Sequence, residues 1–142
     1  MADYSVTAAD VLASASAKRV TGTAGATITA GQAVYRDPSD GEWKLADADT
    51  ASAAGIGTQG NNGIALNGAA DGQPIEVCLS DPDFTPGFTM VVGTTVVISG
   101  TAGGLAPDSD LAASDYHVMM IVPKTTTVGY LFPIRSTGAI AA

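Results

Sequence analysis

Turn-forming residues cut this chain so often that beyond its first 19 positions there is room for no more than a single helical turn. Ala30-Gly31, Asp37-Pro38-Ser39-Asp40-Gly41, Asn67-Gly68, Asp71-Gly72 and Gly93-Thr94 recur along it with only a few apolar residues in between. Glycine supplies the positive φ that a tight reversal needs and proline presets φ at about −65°, so each string turns the backbone. The intervening runs are β-branched or alternating: 27–29, 32–36, 42–46, 55–58, 63–66, 73–79, 89–92, 95–99, 117–122 and 128–134. Short strands joined by frequent reversals, without βαβ alternation, predict an all-β fold, a small β-barrel or β-sandwich of short antiparallel strands.

One string occurs twice. Val20-Thr21-Gly22-Thr23-Ala24-Gly25 is echoed by Ile98-Ser99-Gly100-Thr101-Ala102-Gly103, which predicts a hairpin at each copy and two similar lobes. The run 32–36 and the segment Glu42-Trp43-Lys44-Leu45-Ala46 should pair across the Pro38–Gly41 turn, with Trp43 and Leu45 on one face. Gly93-Thr94 predicts another hairpin, between 89–92 and 95–99. Ser80-Asp81-Pro82-Asp83-Phe84-Thr85-Pro86-Gly87 holds two prolines and reads as a long surface loop or edge, with Phe84 and Phe88 as its anchors and a possible interface. Residues 107–113 suit one helical turn capped by Asp108, and 138–142 have nothing to bury.

With 142 residues the chain fits one domain. Its charge is segregated: residues 37–115 hold 12 acids against Lys44 alone, a local charge of −11, whereas 1–36 carry +1 and 116–142 carry +2. Such an acidic surface repels phosphate backbones, so no direct nucleic-acid partner is expected. Cys78, the only cysteine, excludes an intramolecular disulfide and a cysteine-based metal site, and its apolar neighbours predict a buried strand position. Two acids before residue 11 and no apolar run argue against a secretory signal. The longest strongly apolar stretch, Val118–Val122, is far below the ~20 residues of a spanning helix, so no membrane partner is expected either.

The chain offers little for catalysis. A single histidine, His117, begins an apolar strand, and no Gly-x-Ser-x-Gly elbow accompanies it. The pairs Asp81/Asp83 and Asp108/Asp110 and the string 37–42 lack the spacing of a calcium loop. Gly55-Ile56-Gly57-Thr58-Gln59-Gly60 lacks the lysine of a phosphate-binding loop and reads as turn glycine. Trp43, Tyr35, Tyr130 and Phe132 lie on expected strands, where core packing accounts for them more simply than a sugar platform. No catalytic residue, cofactor or metal is expected.

Residues 1–17 form a separate unit. Val6, Val11 and Leu12 stand among Ala, Ser and Thr with no sustained period, and a short helix from Ala8 capped by Thr7 would have too few anchors to stand alone. The expected organisation is an extended N-terminal arm, 1–17, on a β-rich domain, 18–142. The arm's Tyr4, Val6, Val11 and Leu12 are its candidate contacts with another surface, made by strand addition and apolar plugs.

The strings Ile28-Thr29-Ala30-Gly31-Gln32-Ala33-Val34-Tyr35 and Gly63-Ile64-Ala65-Leu66-Asn67-Gly68-Ala69-Ala70-Asp71-Gly72-Gln73-Pro74-Ile75-Glu76-Val77 resemble the capsid decoration, or cement, proteins of tailed bacteriophages. Residues 101–111 and the closing Ser136-Thr137-Gly138-Ala139 are similar to segments that such head proteins carry. The resemblance spans most of 18–142. It implies a β-barrel-like domain on the outer surface of the virion capsid, a homotrimer at local three-fold positions, with the arm reaching the major capsid protein and bridging its subunits. The competing expectation is a receptor- or glycan-binding head-fibre module, which would expose a polar-rimmed aromatic patch at one end.

Overall fold

The computed structural model describes residues 3–49, 62–110 and 116–139, with the side chains of 135–139 outside that description. The expected strand at 55–58, the glycine-rich string 55–60, residues 111–113 of the expected helical turn and the end of the tail, 140–142, fall outside it. The described chain is nearly all-β, an antiparallel sheet curled into a half-barrel, as the turn spacing predicts. Its strands are β1 (Lys18–Thr23), β2 (Ala33–Arg36), β3 (Trp43–Leu45), β4 (Asn62–Ala65), β5 (Pro74–Phe84), β6 (Val96–Ile98), β7 (Leu105–Pro107), β8 (Tyr116–Pro123) and β9 (Gly129–Ala139). Two single 3-10 turns, Ala8–Asp10 and Asp108–Asp110, are the helical pieces of the described residues.

The sheet runs β3-β2-β4-β5-β9-β8-β6-β7, and β1 adds to β5 outside this order. β5 is the hub. Cys78 pairs with Arg19 of β1 and with Ile64 of β4, so those two strands occupy opposite edges of its first half. Its second half pairs with β9 through Asp81↔Leu131 and Phe84↔Gly129. The strand therefore runs on through the segment that its prolines mark as a loop. A register shift between Asp81 and Phe84 places Pro82 where the ladder is already irregular, so its missing N–H costs little.

Alternation along β2, β4 and β5 sorts their side chains to two faces. Ala33, Tyr35, Ile64 and Cys78 join Phe84, Met90, Ile98, Leu105, Met120 and Leu131 in one core, while Val34, Ala65, Ile75 and Val77 join Ile28 and Trp43 in another. The two clusters are thus the two sides of shared strands, not two repeated lobes. This also explains why β2 and β4 read as continuous apolar runs.

The expected hairpin between β2 and β3 is present, with Val34↔Leu45 and Arg36↔Trp43 paired and Gly41 at φ +73°. Trp43 and Leu45 share the second core. The echoed string makes a hairpin only at its second copy, where Ile98 pairs with Leu105 across a turn that holds Gly103 at φ +79°. In the first copy the strand continues through Thr23, and Gly22 serves a different purpose: a Cβ there would lie 2.7 Å from the Trp43 indole nitrogen. Residues 89–92 are not a strand, because β6 takes β7 and β8 as its neighbours and leaves no edge for them. β9 runs past Ile134 to Ala139, which pairs with Tyr116.

Candidate interaction surfaces

The arm lies along its own domain, held mainly through its backbone. Tyr4 N–H donates to Leu105 O at 2.8 Å, Thr7 N–H to Gly87 O at 2.8 Å, and Leu12 and Thr85 exchange two bonds of 2.9 Å. Leu12↔Thr85 keeps the register that Arg19↔Cys78 and Val20↔Val77 set, so arm and β1 follow one edge of β5 with an interruption between them. At that interruption Ser14 donates its N–H (2.6 Å) and its hydroxyl to the fully buried Asp81 carboxylate, which also accepts the Asp83 N–H at 3.0 Å. At the other end the Ser99 hydroxyl donates to Asp3 at 2.5 Å.

Of the four arm residues expected to meet another surface, Tyr4, Val6 and Val11 lie instead against this chain's own domain. The Tyr4 ring stacks on Phe88, centroids 4.4 Å apart and planes 12° from parallel, and burial raises its phenol pKa, with Asp108 adding to the rise. Val6 and Val11 press on Gly31, and Val11 also approaches Gly87; a Cβ on either glycine would meet these side chains or the Thr7 carbonyl. Thr7 caps nothing through its side chain, and the expected helix is one 3-10 turn with no buried residue. Leu12 alone among the four stands out, 66% exposed. Phe84 is not an interface anchor: it is fully buried in the first core, since β5 continues and turns it inward. Phe88 is half-buried beneath Tyr4.

A second surface lies where the sequence places core. Tyr130, Phe132 and Ile134 alternate along β9 with Leu131, which is fully buried, and Val122 of β8 pairs with Tyr130. These four side chains are 46–55% exposed and form one apolar row on the outer face of the β8–β9 pair. Tyr130 and Phe132 meet edge to face at 6.3 Å. Lys124 borders the row, its Nζ 5.7 Å from the Tyr130 ring centre and 2.9 Å from Asp83 Oδ1. β9 is apolar on both faces, so alternation alone could not say which face the core would take. Val91 and Val92 make a further exposed apolar spot on the loop before β6.

The candidate reactive groups are dispersed. Among the described residues no three His, Cys, Asp or Glu side chains gather as a metal site. His117 is half-buried on β8, Asp81 is buried against the arm, and Asp83 faces Lys124. Burial pushes the Cys78 thiol up to about 12, as befits a core position. Lys44 reaches Asp37 and Asp40 at 2.9 Å each; its hydrogen bond, ahead of the Ser39 backbone N–H, lowers Asp37 to about 2, and the two carboxylates raise the lysine. This ties the β2–β3 turn shut. No described helix is long and apolar enough to cross a membrane.

No protein-family model matches this chain, and no curated protein matches it either.

Proposed function

We propose that this protein is a structural component of a tailed-phage virion. It decorates the outside of the head, binds the major capsid protein and bridges its subunits as a homotrimer, with no chemical step. The observation that carries this reading is the set of large apolar side chains left in solvent on an acid-rich molecule: Leu12 and Val91–Val92 apart from the β8–β9 row. Such side chains, held on a fixed backbone, are available for another protein to cover. The similarity of residues 28–35, 63–77 and 101–111 to capsid cement proteins supports the choice of partner, and the all-β fold agrees with it.

The arm brings Leu12 to the shell as a preformed plug. Its backbone is fixed on Thr85 while its side chain projects, so little conformational entropy is lost on docking. Burying that side chain contributes about 1.5–3 kcal/mol per copy, and several copies acting together multiply it through avidity. The test is co-sedimentation of the full chain with heads assembled without it. Leu12→Asp keeps both backbone bonds and the fold, and is expected to lose head binding; unchanged binding by this variant refutes the arm contact, and no binding by the native chain refutes the function.

A second reading, a receptor- or glycan-binding module, draws on the exposed Tyr130–Phe132 pair beside Lys124 and Asp83, a polar-rimmed aromatic patch. Retention of the isolated chain on a glycan array, lost in Tyr130→Ala, selects it.

A further inference from the structure

We infer that the apolar row on β8 and β9 is where two copies of this chain meet in the free protein, face to face across a two-fold axis, a contact separate from the three-fold set proposed for the shell. The inference goes beyond the capsid reading, because it concerns an association that needs no shell.

Size argues for a protein partner. Half-exposed Tyr130 and Phe132, together with Ile134 and Val122, leave about 350 Å² of apolar surface in one row, the size of the largest patch on a typical monomer, and such patches are often functional. With a polar rim in ordinary proportion, that makes about 600 Å² per copy, the lower end of what a specific complex buries. Tyr130 and Phe132 sit side by side in the middle of the row, the residue types that anchor such contacts.

Charge selects a second copy. The chain carries −8 overall, so two copies repel across most of their surfaces. Residues 116–142, which supply the row, hold Lys124 and Arg135 and no acid. At the rim of the row Lys124 and Asp83 stand together, 2.9 Å apart. A two-fold axis passing beside this pair sets each copy's cation near the other's anion, so this part of the rim can complement itself. An apolar row is also best matched by an apolar row, which the same operation supplies.

Such a contact puts equivalent residues close together near the axis, and that is its testable signature. In the full chain, Val122→Cys, a change in the same row that keeps both aromatic anchors, is expected to form a disulfide-linked pair under mild oxidation. Thr21→Cys, exposed on β1 away from the row, is expected to remain unlinked. Cys78 does not interfere, being buried with its thiol pushed up to about 12. By sedimentation velocity over a concentration series, Phe132→Ser is expected to raise the dissociation constant at least about 100-fold while its melting temperature holds. Failure of Val122→Cys to link beyond the Thr21→Cys level, or an association indifferent to Phe132→Ser, overturns the inference. Loss of head binding by Phe132→Ser without any self-association also overturns it and gives the row to the shell. No shell enters the solution assays, so their failure leaves the capsid reading to be judged by Leu12→Asp.

Discussion

Two glycines with nearly the same backbone angle allow the arm's contribution to be measured by difference. Gly87 has φ +85° and Gly72 has φ +87°, so alanine at either site bears the same left-handed cost, about 1–2 kcal/mol. Their surroundings differ. A Cβ at Gly72 meets nothing within 4 Å, whereas at Gly87 it would lie 2.6 Å from the Thr7 carbonyl oxygen and 3.1 Å from Val11 Cγ2. A backbone atom cannot swing aside as a side-chain tip does, so the arm must lift. Lifting breaks the Thr7 N–H bond to Gly87 O, about 1 kcal/mol, and loosens the Tyr4–Phe88 stack, about 0.5–1.5 kcal/mol. Gly87→Ala is therefore expected to destabilise by about 2 kcal/mol more than Gly72→Ala in urea unfolding. Trypsin gives an independent reading, since cleavage at Lys18 or Arg19 severs the arm only when this edge of the sheet opens. A difference of about 2 kcal/mol corresponds to roughly 30-fold faster cleavage when opening precedes cutting. Equal unfolding free energies and equal cleavage rates for the two variants would show that the arm is not held as described.

Two further perturbations probe the polar ties. Asp81→Ala strips the acceptor from the Ser14 N–H, the Ser14 hydroxyl and the Asp83 N–H, and is expected to cost about 2–3 kcal/mol in urea unfolding with faster amide exchange at Ser14; unchanged exchange there contradicts the tie. Asp37 titrates low in the folded protein, so whatever stability it adds is present above its ordinary value near 3.8 and is lost as pH falls toward 2. Lys44→Met is expected to move the Asp37 carboxylate midpoint, followed by NMR, upward toward that ordinary value, though not fully, because the Ser39 N–H and hydroxyl remain as donors. A midpoint that stays near 2 places the cause elsewhere.

Most of the fold was legible because it is written in turns. Gly41 and the Asp37–Gly41 string mark the β2–β3 hairpin, and the step from Pro123 to Val128 marks the reversal between β8 and β9. What local chemistry could not show was decided by distant partners. Pro82 signals a break, yet β5 runs on because β9 bonds its second half and Asp81 accepts from Ser14, 67 positions away. Two identical tripeptides, Thr23-Ala24-Gly25 and Thr101-Ala102-Gly103, behave differently: Gly103 turns the chain at positive φ, whereas Gly25 does not and instead lies close beneath the Glu42 and Lys44 side chains. The arm was visible as a segment that ends where β1 begins, but its bed was not. Gly31 reads as a turn glycine and Gly87 as the end of a surface loop, and only their approach to Val6, Val11 and Thr7 shows that they also make room for it.

The β8–β9 face ties legibility to function. An isolated domain of this kind needs one apolar face per strand at its periphery and leaves the other polar. β2 and β4 depart from that rule for an internal reason, since both of their faces are covered by this chain's own cores. β9 departs from it with Leu131 inside and Tyr130, Phe132 and Ile134 outside, and none of the described residues buries that outer row. The same sequence pattern thus has two physical meanings: burial from both sides within one chain, or burial from one side with the second awaiting a partner. Exposure of the row would cost solubility in a free monomer, an effect that the acidic balance of the rest of the chain offsets by repulsion. Residues 116–142, which supply the row, carry no acid, so the charge segregation read from the sequence and the apolar row read from the structure both leave this face open to association.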